Sequence, residues 1–448
     1  MRVLFVQAIS TESINAEMVY PIGIVTLATR IKEEHEVEIL DLNIEEDPFG
    51  ELKKTIIHMK PQVVCISLRN IDLLGNKMTS LIPQFTVAVK MISQLLPEVV
   101  IIAGGTGFSL FPKEIMNLLT EIKYGIIGEG EDTLPTLLGS LTEPLFLKGL
   151  CFRDNDQIVV IDSSKEIDME SSYVNPDRSL LDPSLYERNS YVQSLGIETK
   201  RGCPFNCSYC VYPNLQGRKL RCRSPKEVVY EIEMINKKYG IDRIHFTDPV
   251  VNIPSGHLEN ICELLIKNKV KVKWSGFFRE DFLNDYNTEL FAKSGCECFS
   301  FSPDGLCQES LDTLGKNLKV SDIINAAKLT SKTDVISVYH FMVNVPGENS
   351  KTLKEGTELI ERIYSIHKDN RNLGTIVLNN IRIYPDTPIY NYAIKNGIIT
   401  PSTELLYPTY YNPEPYKSLR YQLETKHLCK NIFMWQEVDY EDIVIRTP

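Results

Sequence analysis

The sequence predicts an α/β protein with an N-terminal doubly wound, Rossmann-like domain, a partial (β/α)6 barrel and a small C-terminal tail region. Three observations carry that expectation. Residues 1–141 alternate five short β-branched runs with amphipathic stretches, the rhythm of a parallel sheet covered by helices on both faces. Residues 194–390 repeat the rhythm six times, too few units for a closed eight-stranded barrel but suited to an open six-stranded one. At 448 residues the chain is also too long for one hydrophobic core.

In the first region, strands are expected at "RVLFVQAI", "EVEILDL", "QVVCISL", "VVIIAGG" and "KYGIIGEG". These runs are nearly continuous in apolar residues, as strands buried on both faces must be. The stretches between them, such as "GIVTLATRIKEE" and "IPQFTVAVKMISQLL", read as helices. Residues 142–193 break the pattern, with a hairpin turning at Asn155-Asp156 and then a linker, "NPDRSLLDPSLYERNSY". Strands resume at "LGIETKR", "RIHFTD", "VKWSGFF", "CFSFSP", "VISVYHFMV" and "TIVLNNIRIY". Residues 391–448 begin Tyr- and Pro-rich, and an amphipathic helix is expected over "LRYQLETKHLCKNIFMW". Tyr407, Tyr410, Tyr411, Tyr416 and Trp435 there either line a pocket for an aromatic or peptide substrate or pack the barrel's open side.

Composition narrows the function. The net charge of −11 argues against a nucleic-acid surface. No apolar run reaches the ~18 residues of a membrane span, and "MRVLFVQAIS" lacks the form of a signal peptide. A cytoplasmic monomer is expected, in a compartment where the 11 cysteines stay reduced and build no disulfide framework.

Ligands of parallel α/β sheets bind beyond the carboxyl ends of the strands. The loops to watch in the first domain are therefore Ser67-Leu68-Arg69-Asn70, Gly104-Gly105-Thr106-Gly107 with Ser109, and Gly128-Glu129-Gly130-Glu131. "GGTG" lacks the G-x-G-x-x-G order of a dinucleotide fingerprint, which weakens a nucleotide reading.

The sharpest feature is "RGCPFNCSYC", where Cys203, Cys207 and Cys210 are spaced C-x3-C-x2-C on the loop after the first barrel strand. A structural zinc site closes its tetrahedron with four ligands, commonly from paired C-x2-C knuckles. The next cysteine, Cys222, stands alone, and no histidine follows within ten residues. A [4Fe–4S] cluster used only for electron transfer also takes four thiolates; three leave one iron open. A zinc loop remains the alternative.

At these residues the chain resembles the radical S-adenosylmethionine superfamily, in which an aromatic, here Tyr209, precedes the third cysteine. The resemblance implies that Cys203, Cys207 and Cys210 hold three irons and that S-adenosylmethionine chelates the fourth. It also implies contacts to that cosubstrate from strand ends: Phe246, Asp248 and Asn252 after the second strand, Ser275 and Arg279 at the third, Ser302 and Asp304 at the fourth, and Tyr384 in "NIRIYPDTPIY" after the sixth.

The first domain resembles the cobalamin-binding domain of one branch of that superfamily, on "YPIGIVTLATRI", "AGGTGFSLFPKEI" and "GIIGEGEDTLPTLL". Gly104, Gly105 and Gly107 would let the backbone approach a flat ring or phosphate tail, with Ser67, Thr106, Ser109, Gly128 and Glu129 beside it. The D-x-H-x-x-G motif that supplies a cobalt-ligating histidine is missing; His35 and His58 are the domain's histidines. The cobalt would then lack a histidine below it, and Arg69 could lie under the ring as a catalytic residue, or be a surface arginine at a strand end. The family implies a methyltransferase that moves a methyl from S-adenosylmethionine via methylcobalamin to a substrate carbon, by radical or polar chemistry. An external flavodoxin- or ferredoxin-like electron donor is implied, and a small-molecule, amino-acid or peptide substrate. Two alternatives stay open: a rearrangement or cyclisation without net methylation, and a non-enzymatic sensor carrying the same cofactors.

Overall fold

The five expected front strands form as β1 (Arg2–Gln7), β2 (Glu36–Asp41), β3 (Val63–Ser67), β4 (Val100–Gly104) and β5 (Ile122–Ile126). They pair in parallel in the order β2-β1-β3-β4-β5. The structure is a computed structural model that describes residues 1–11, 18–73, 79–141, 147–155, 157–161, 166–187, 195–413, 422–423 and 432–434. The described chain forms two units, one of residues 1–73 and 79–187 and one from residue 195 onwards.

Register explains why the front strands are apolar on both sides. Val3, Phe5, Val63, Cys65, Ile102 and Tyr124 share one face and pack on the helices Ile22–Ile31 and Thr133–Leu138. Their neighbours Leu4, Val6, Val64 and Ile66 point the other way and are equally buried. Each such side chain contributes about 1.5–3 kcal/mol when fully buried.

The hairpin forms as β6 (Leu150–Asp154) and β7 (Gln157–Val160), with Asn155 at φ 52°; Asp156 lies outside the described residues. It does not stand apart, because β6 pairs antiparallel with β5 and extends the sheet to seven strands. Residues 166–187, expected as linker, also pack on this sheet. Tyr186 Oη donates to Asp41 at 2.6 Å, and Tyr20 Oη donates to the Leu181 carbonyl at 3.0 Å. Pro and Asp punctuate the stretch, yet its buried Ile167, Met169 and Leu181 supply the anchoring surface.

The strand order reverses between β1 and β3, so the ligand crevice of this sheet opens at the carboxyl ends of those two strands. There the β4 loop leans on the β3 loop. Gly107 N–H donates to the carbonyls of Leu68 and Arg69, both at 2.9 Å, and Thr106 Oγ1 donates to the Arg69 carbonyl at 2.5 Å. A Cβ on Gly105 would sit 2.6 Å from the Leu68 carbonyl oxygen, and one on Gly107 would sit 3.0 Å from it. These two glycines are thus required by the protein's own loop packing.

In the second unit the expected strand "LGIETKR" breaks in two. β8 (Gly196–Ile197) stays in the barrel sheet, while β9 (Lys200–Arg201) turns away to pair antiparallel with β10 (Arg221–Cys222). The other five form as expected: β11 (Arg243–Phe246), β12 (Lys273–Phe278), β13 (Cys296–Asp304), β14 (Ile336–Val343) and β15 (Leu373–Arg382). From β8 to β15 every pairing is parallel and sequential, the partial barrel.

Alternation divides the barrel strands into two faces. Trp274, Phe278, Phe299, Phe301 and Tyr339 form an aromatic layer toward the helices, touching Phe291 of helix Asp285–Lys293 and His367 of helix Ser350–His367. His245, Ser275, Phe277, Ser300, Val338 and His340 point to the inner face. The sheet ends in β16 (Tyr410–Tyr411), antiparallel to β15, and β17 (Ile432–Met434), parallel to it. Much of the expected tail helix, with Tyr416 and Trp435, lies outside the described residues, but Ile432–Met434 within it is strand. Among the described residues no helix is long and apolar enough to cross a membrane.

One outcome tests the loop packing. Gly105 has φ 96°, so Gly105→Ala adds both a contact and a left-handed alanine and should destabilise the front unit by about 2 kcal/mol or more. Gly23→Ala, in a helix with open space around its Cβ, should instead stabilise by about 0.5–1 kcal/mol. Denaturant unfolding of both variants checks the contrast.

Candidate metal centre and cofactor crevice

The cysteine loop has almost no regular structure, so its shape is imposed by neighbours. Cys203 N–H donates to the Gly217 carbonyl at 3.0 Å, and Cys210 N–H to the Cys207 carbonyl at 3.2 Å. From outside, Ser208 N–H donates to the Leu314 carbonyl at 2.8 Å, while the Ser208 carbonyl accepts from Ile389 N–H at 2.9 Å. Gly315, at φ 64°, lets the chain close on this loop; a Cβ there would lie 2.8 Å from the Asn206 carbonyl oxygen. The Arg279 guanidinium stacks on Phe205 with 3.9 Å to the ring centroid.

Arg279 is also held by Asp281 at 2.7 Å and by the carbonyls of Lys316 and Asn317 at 2.8 and 2.7 Å. The cosubstrate contact expected of it is thus accompanied by a clamp between the β12 end and the cysteine loop.

Burial shapes the chemistry of the thiols. It pushes Cys210 up to about 12 and raises Cys203 above the ordinary thiol value, with the neighbouring cysteines adding to both. At neutral pH such thiols stay protonated unless a metal takes them as thiolates. Among the described residues no three His, Cys, Asp or Glu side chains converge on a single ion. A [4Fe–4S] cluster engages its thiolates through separate irons, one thiolate to each. The donor set fits a cluster with three protein ligands. Cys222 is elsewhere, on β10 opposite Lys200, and Cys296 opens β13 at the far end of the sheet.

Beneath the loop lies a network that the sequence does not announce. Tyr209 Oη donates to the Asp304 carboxylate, which also receives Lys316 Nζ at 2.7 Å; Nζ donates to the Ser302 carbonyl at 2.8 Å as well. Burial opposes the Lys316 charge, but Asp304, Cys207 and Glu280 outweigh it and hold the ammonium above its usual range. Glu280 is buried close by, and burial lifts its carboxyl to about 7 against the pull of Lys316. Lys316 stands in "TLGKNL" and Glu280 in "FFRED", neither of which carries a ligand-like spacing.

Asp248 sits under the start of the same loop. Its Oδ1 accepts from Thr199 N–H at 2.8 Å and Lys200 N–H at 3.2 Å; its Oδ2 accepts from Thr199 Oγ1 at 2.5 Å and Lys200 Nζ at 2.7 Å. Both oxygens are engaged within the protein, which is what turns β9 out of the sheet. Asn252 exchanges two hydrogen bonds with the Arg279 backbone, at 2.8 and 2.9 Å. Phe246 ends β11 and packs its ring against Trp274 of the outer aromatic layer. Ser275 Oγ is 2.9 Å from His245 Nδ1 on the inner face, and Ser302 is half-buried. Tyr384 follows β15, half-buried, with the Arg382 guanidinium 4.9 Å from its ring centroid.

In the front unit, Ser67, Arg69, Gly104, Thr106 and Gly107 are gathered at the carboxyl ends of β3 and β4. Ser109 Oγ donates to the Gly105 carbonyl at 2.9 Å and accepts from Gly128 N–H at 3.0 Å, joining the β4 and β5 loops. Glu129 accepts from Ile167 N–H at 2.8 Å. Asp41, lifted by burial, lies within the field of Arg69. His35 directly precedes β2 and His58 ends the helix leading to β3, so both lie at the amino ends of the strands, away from the crevice.

Breaking the buried pair under the loop gives a direct check. Lys316→Met leaves Asp304 charged without its cation and should cost about 3–5 kcal/mol. Lys316→Met combined with Asp304→Asn, which tolerates the positive φ, should recover part of the loss. Equilibrium unfolding of the two variants measures the difference.

Comparison with known proteins agrees with this geometry. The B12 binding domain family matches residues 16–138, and the Radical SAM superfamily matches residues 197–360. An uncharacterized methyltransferase of Pyrococcus horikoshii is 24% identical over 85% of this chain and 79% of its own. The anaerobic magnesium-protoporphyrin IX monomethyl ester cyclase of Cereibacter sphaeroides is 27% identical over 62% of this chain, which spans about half, 47%, of that relative. Among solved structures, the radical S-adenosylmethionine methyltransferase TsrM from Kitasatospora setae, with cobalamin and a [4Fe–4S] cluster bound, aligns at TM-score 0.76 and 20% identity, covering 90% of this chain and 79% of that one. That last likeness is one of fold. With a match to the B12 binding domain in its first unit and to the Radical SAM superfamily in its second, the chain carries the two domains that the sequence resemblance implies.

Proposed function

We propose that this chain is a cobalamin-dependent methyltransferase that takes a methyl group from S-adenosylmethionine and delivers it to a carbon of a small-molecule, amino-acid or peptide substrate. The observation that carries the reading is the loop of Cys203, Cys207 and Cys210 strapped over the ends of the barrel strands, in a chain whose other unit opens a crevice without a histidine. Bound at these places, the cluster supplies an electron for cleaving S-adenosylmethionine and cobalamin supplies a methyl carrier.

The residues of the chain have defined parts in this proposal. Cys203, Cys207 and Cys210 bind three irons and leave the fourth for the amino and carboxylate groups of S-adenosylmethionine. Tyr209, Asp304 and Lys316 brace the loop from below. Ser275, Ser302 and Tyr384 remain proposed contacts to the cosubstrate. Arg69, which follows β3, is the proposed residue beside the corrin; a guanidinium has no free lone pair for a metal, so there it would exclude water without becoming a ligand. Ser67, Gly104, Gly105, Thr106, Gly107, Ser109, Gly128 and Glu129 form the proposed walls of that crevice. Reducing power comes from a flavodoxin- or ferredoxin-like protein.

A second reading, rearrangement or ring closure without net methylation, is favoured by the likeness to the cyclase. One anaerobic assay separates the two. Reconstituted protein is given cobalamin, a low-potential reductant, methyl-labelled S-adenosylmethionine and a substrate panel. Labelled product with S-adenosylhomocysteine is expected, lost in Cys203→Ala, Cys207→Ala and Cys210→Ala. Arg69→Lys should keep cobalamin binding but slow the transfer. 5′-Deoxyadenosine without labelled product would instead establish the second reading.

A further inference from the structure

The described histidines of the second unit differ in one respect. His245 Nδ1 is 2.9 Å from Ser275 Oγ, and His257 Nε2 is 3.2 Å from Thr199 Oγ1. His367 bridges Tyr339 Oη at 2.9 Å and Asn372 Oδ1 at 2.8 Å. His340 has neither kind of partner. It lies on β14, on the inner face and partly exposed, and its ring neighbour is Phe277, 6.4 Å away between centroids. An imidazole with both nitrogens unpartnered by protein and partly exposed on a concave face is free to hydrogen-bond a ligand in place of water.

The surroundings limit what that something is. Phe277, His340, Met342, Thr375 and Asn379 are half-buried residues of the inner face around this point. None carries a formal charge. At the amino ends of the strands, Arg243 and Lys273 share the Glu297 carboxylate at 3.0 and 3.2 Å. At the carboxyl ends, Arg279 is paired with Asp281 and Lys316 with Asp304, and burial lifts the carboxyls of Glu280 and Glu348 to about 7 and about 8, toward their neutral forms. Burial lowers the His340 ring below its ordinary value, against Asp304, so the neutral imidazole is the form present at neutral pH. An ionised group placed here would be desolvated without a counter-charge.

We infer that the inner face of the barrel binds the uncharged, planar part of the substrate, with the His340 imidazole hydrogen-bonded to it and the Phe277 ring packed on its face. This deepens the methyltransferase proposal by naming the substrate's chemical class, and it rests on that proposal only in calling the bound molecule a substrate. His340 contacts substrate directly and so selects it.

The test needs no turnover, so it separates this inference from the methylation reading. The full chain is treated with diethyl pyrocarbonate and its histidines are followed by mass spectrometry, with benzamide or benzoate as the added probe. His340 should be modified faster than His245, His257 and His367. Benzamide should protect it, and the isosteric but charged benzoate should need about tenfold more for equal protection. His340→Leu should lose the saturation-transfer signal from benzamide while melting at the wild-type temperature. The inference is overturned if His340 reacts no faster than the others, if the two probes protect alike, or if His340→Leu binds benzamide as wild type does. Failure of methyl transfer with these results intact would leave the binding face standing and remove only the reaction.

Discussion

A loop that offers three thiols to metal has no hydrophobic core of its own, so everything depends on what holds it from outside. Here the holding is electrostatic as well as steric. Asp304 takes a phenol proton donor from within the loop, Tyr209, and an ammonium from beneath it, Lys316. Arg279 binds the carbonyls of Lys316 and Asn317 while stacking on Phe205 of the loop. Because all the barrel strands are parallel, their carboxyl ends lie on one side, where three separate segments reach a single loop.

Buried ion pairs are a poor way to gain stability, since desolvation offsets most of the attraction. Among its described residues this unit nevertheless buries Lys200 with Asp248 at 2.7 Å, Arg223 with Glu231 at 2.8 Å and Lys316 with Asp304 at 2.7 Å. Two of them sit at the root and the underside of the cysteine loop. Their benefit is position. A carboxylate with directed partners fixes the loop where an apolar contact would let it slide, and a cluster site needs its ligands held before the metal arrives.

Much of the fold was legible because period and burial agree. Five front strands and six barrel strands follow from runs such as "VVCIS" and "ISVYHFMV", whose neighbours alternate between two packed faces. The cysteine spacing was legible because it is local. The break in "LGIETKR" was not, because its cause, Asp248, lies 49 residues away. The hairpin's membership in the front sheet and the strand at Ile432–Met434 depend likewise on distant partners, β5 and β15. Lys316 and Glu280 escaped for the same reason: nothing in their flanking residues shows that the fold brings both to one buried carboxylate. Gly105 and Gly107 stand out in the sequence as glycines after a strand, but the short helix Thr106–Leu110 that contains Gly107, and the Leu68 carbonyl against both, come from packing on the β3 loop.

The central claim is that three thiols, and no fourth, leave an iron open to the cosubstrate. Its most direct measurement is electron-nuclear double resonance on the reduced, anaerobically reconstituted protein with S-adenosylmethionine labelled at the amino nitrogen. The account predicts about four irons per chain and a nitrogen coupling that shows the amine bound to the cluster. A full cluster without that coupling, or one lost in Cys222→Ala, would mean that the site is closed by a fourth protein ligand and would contradict the account.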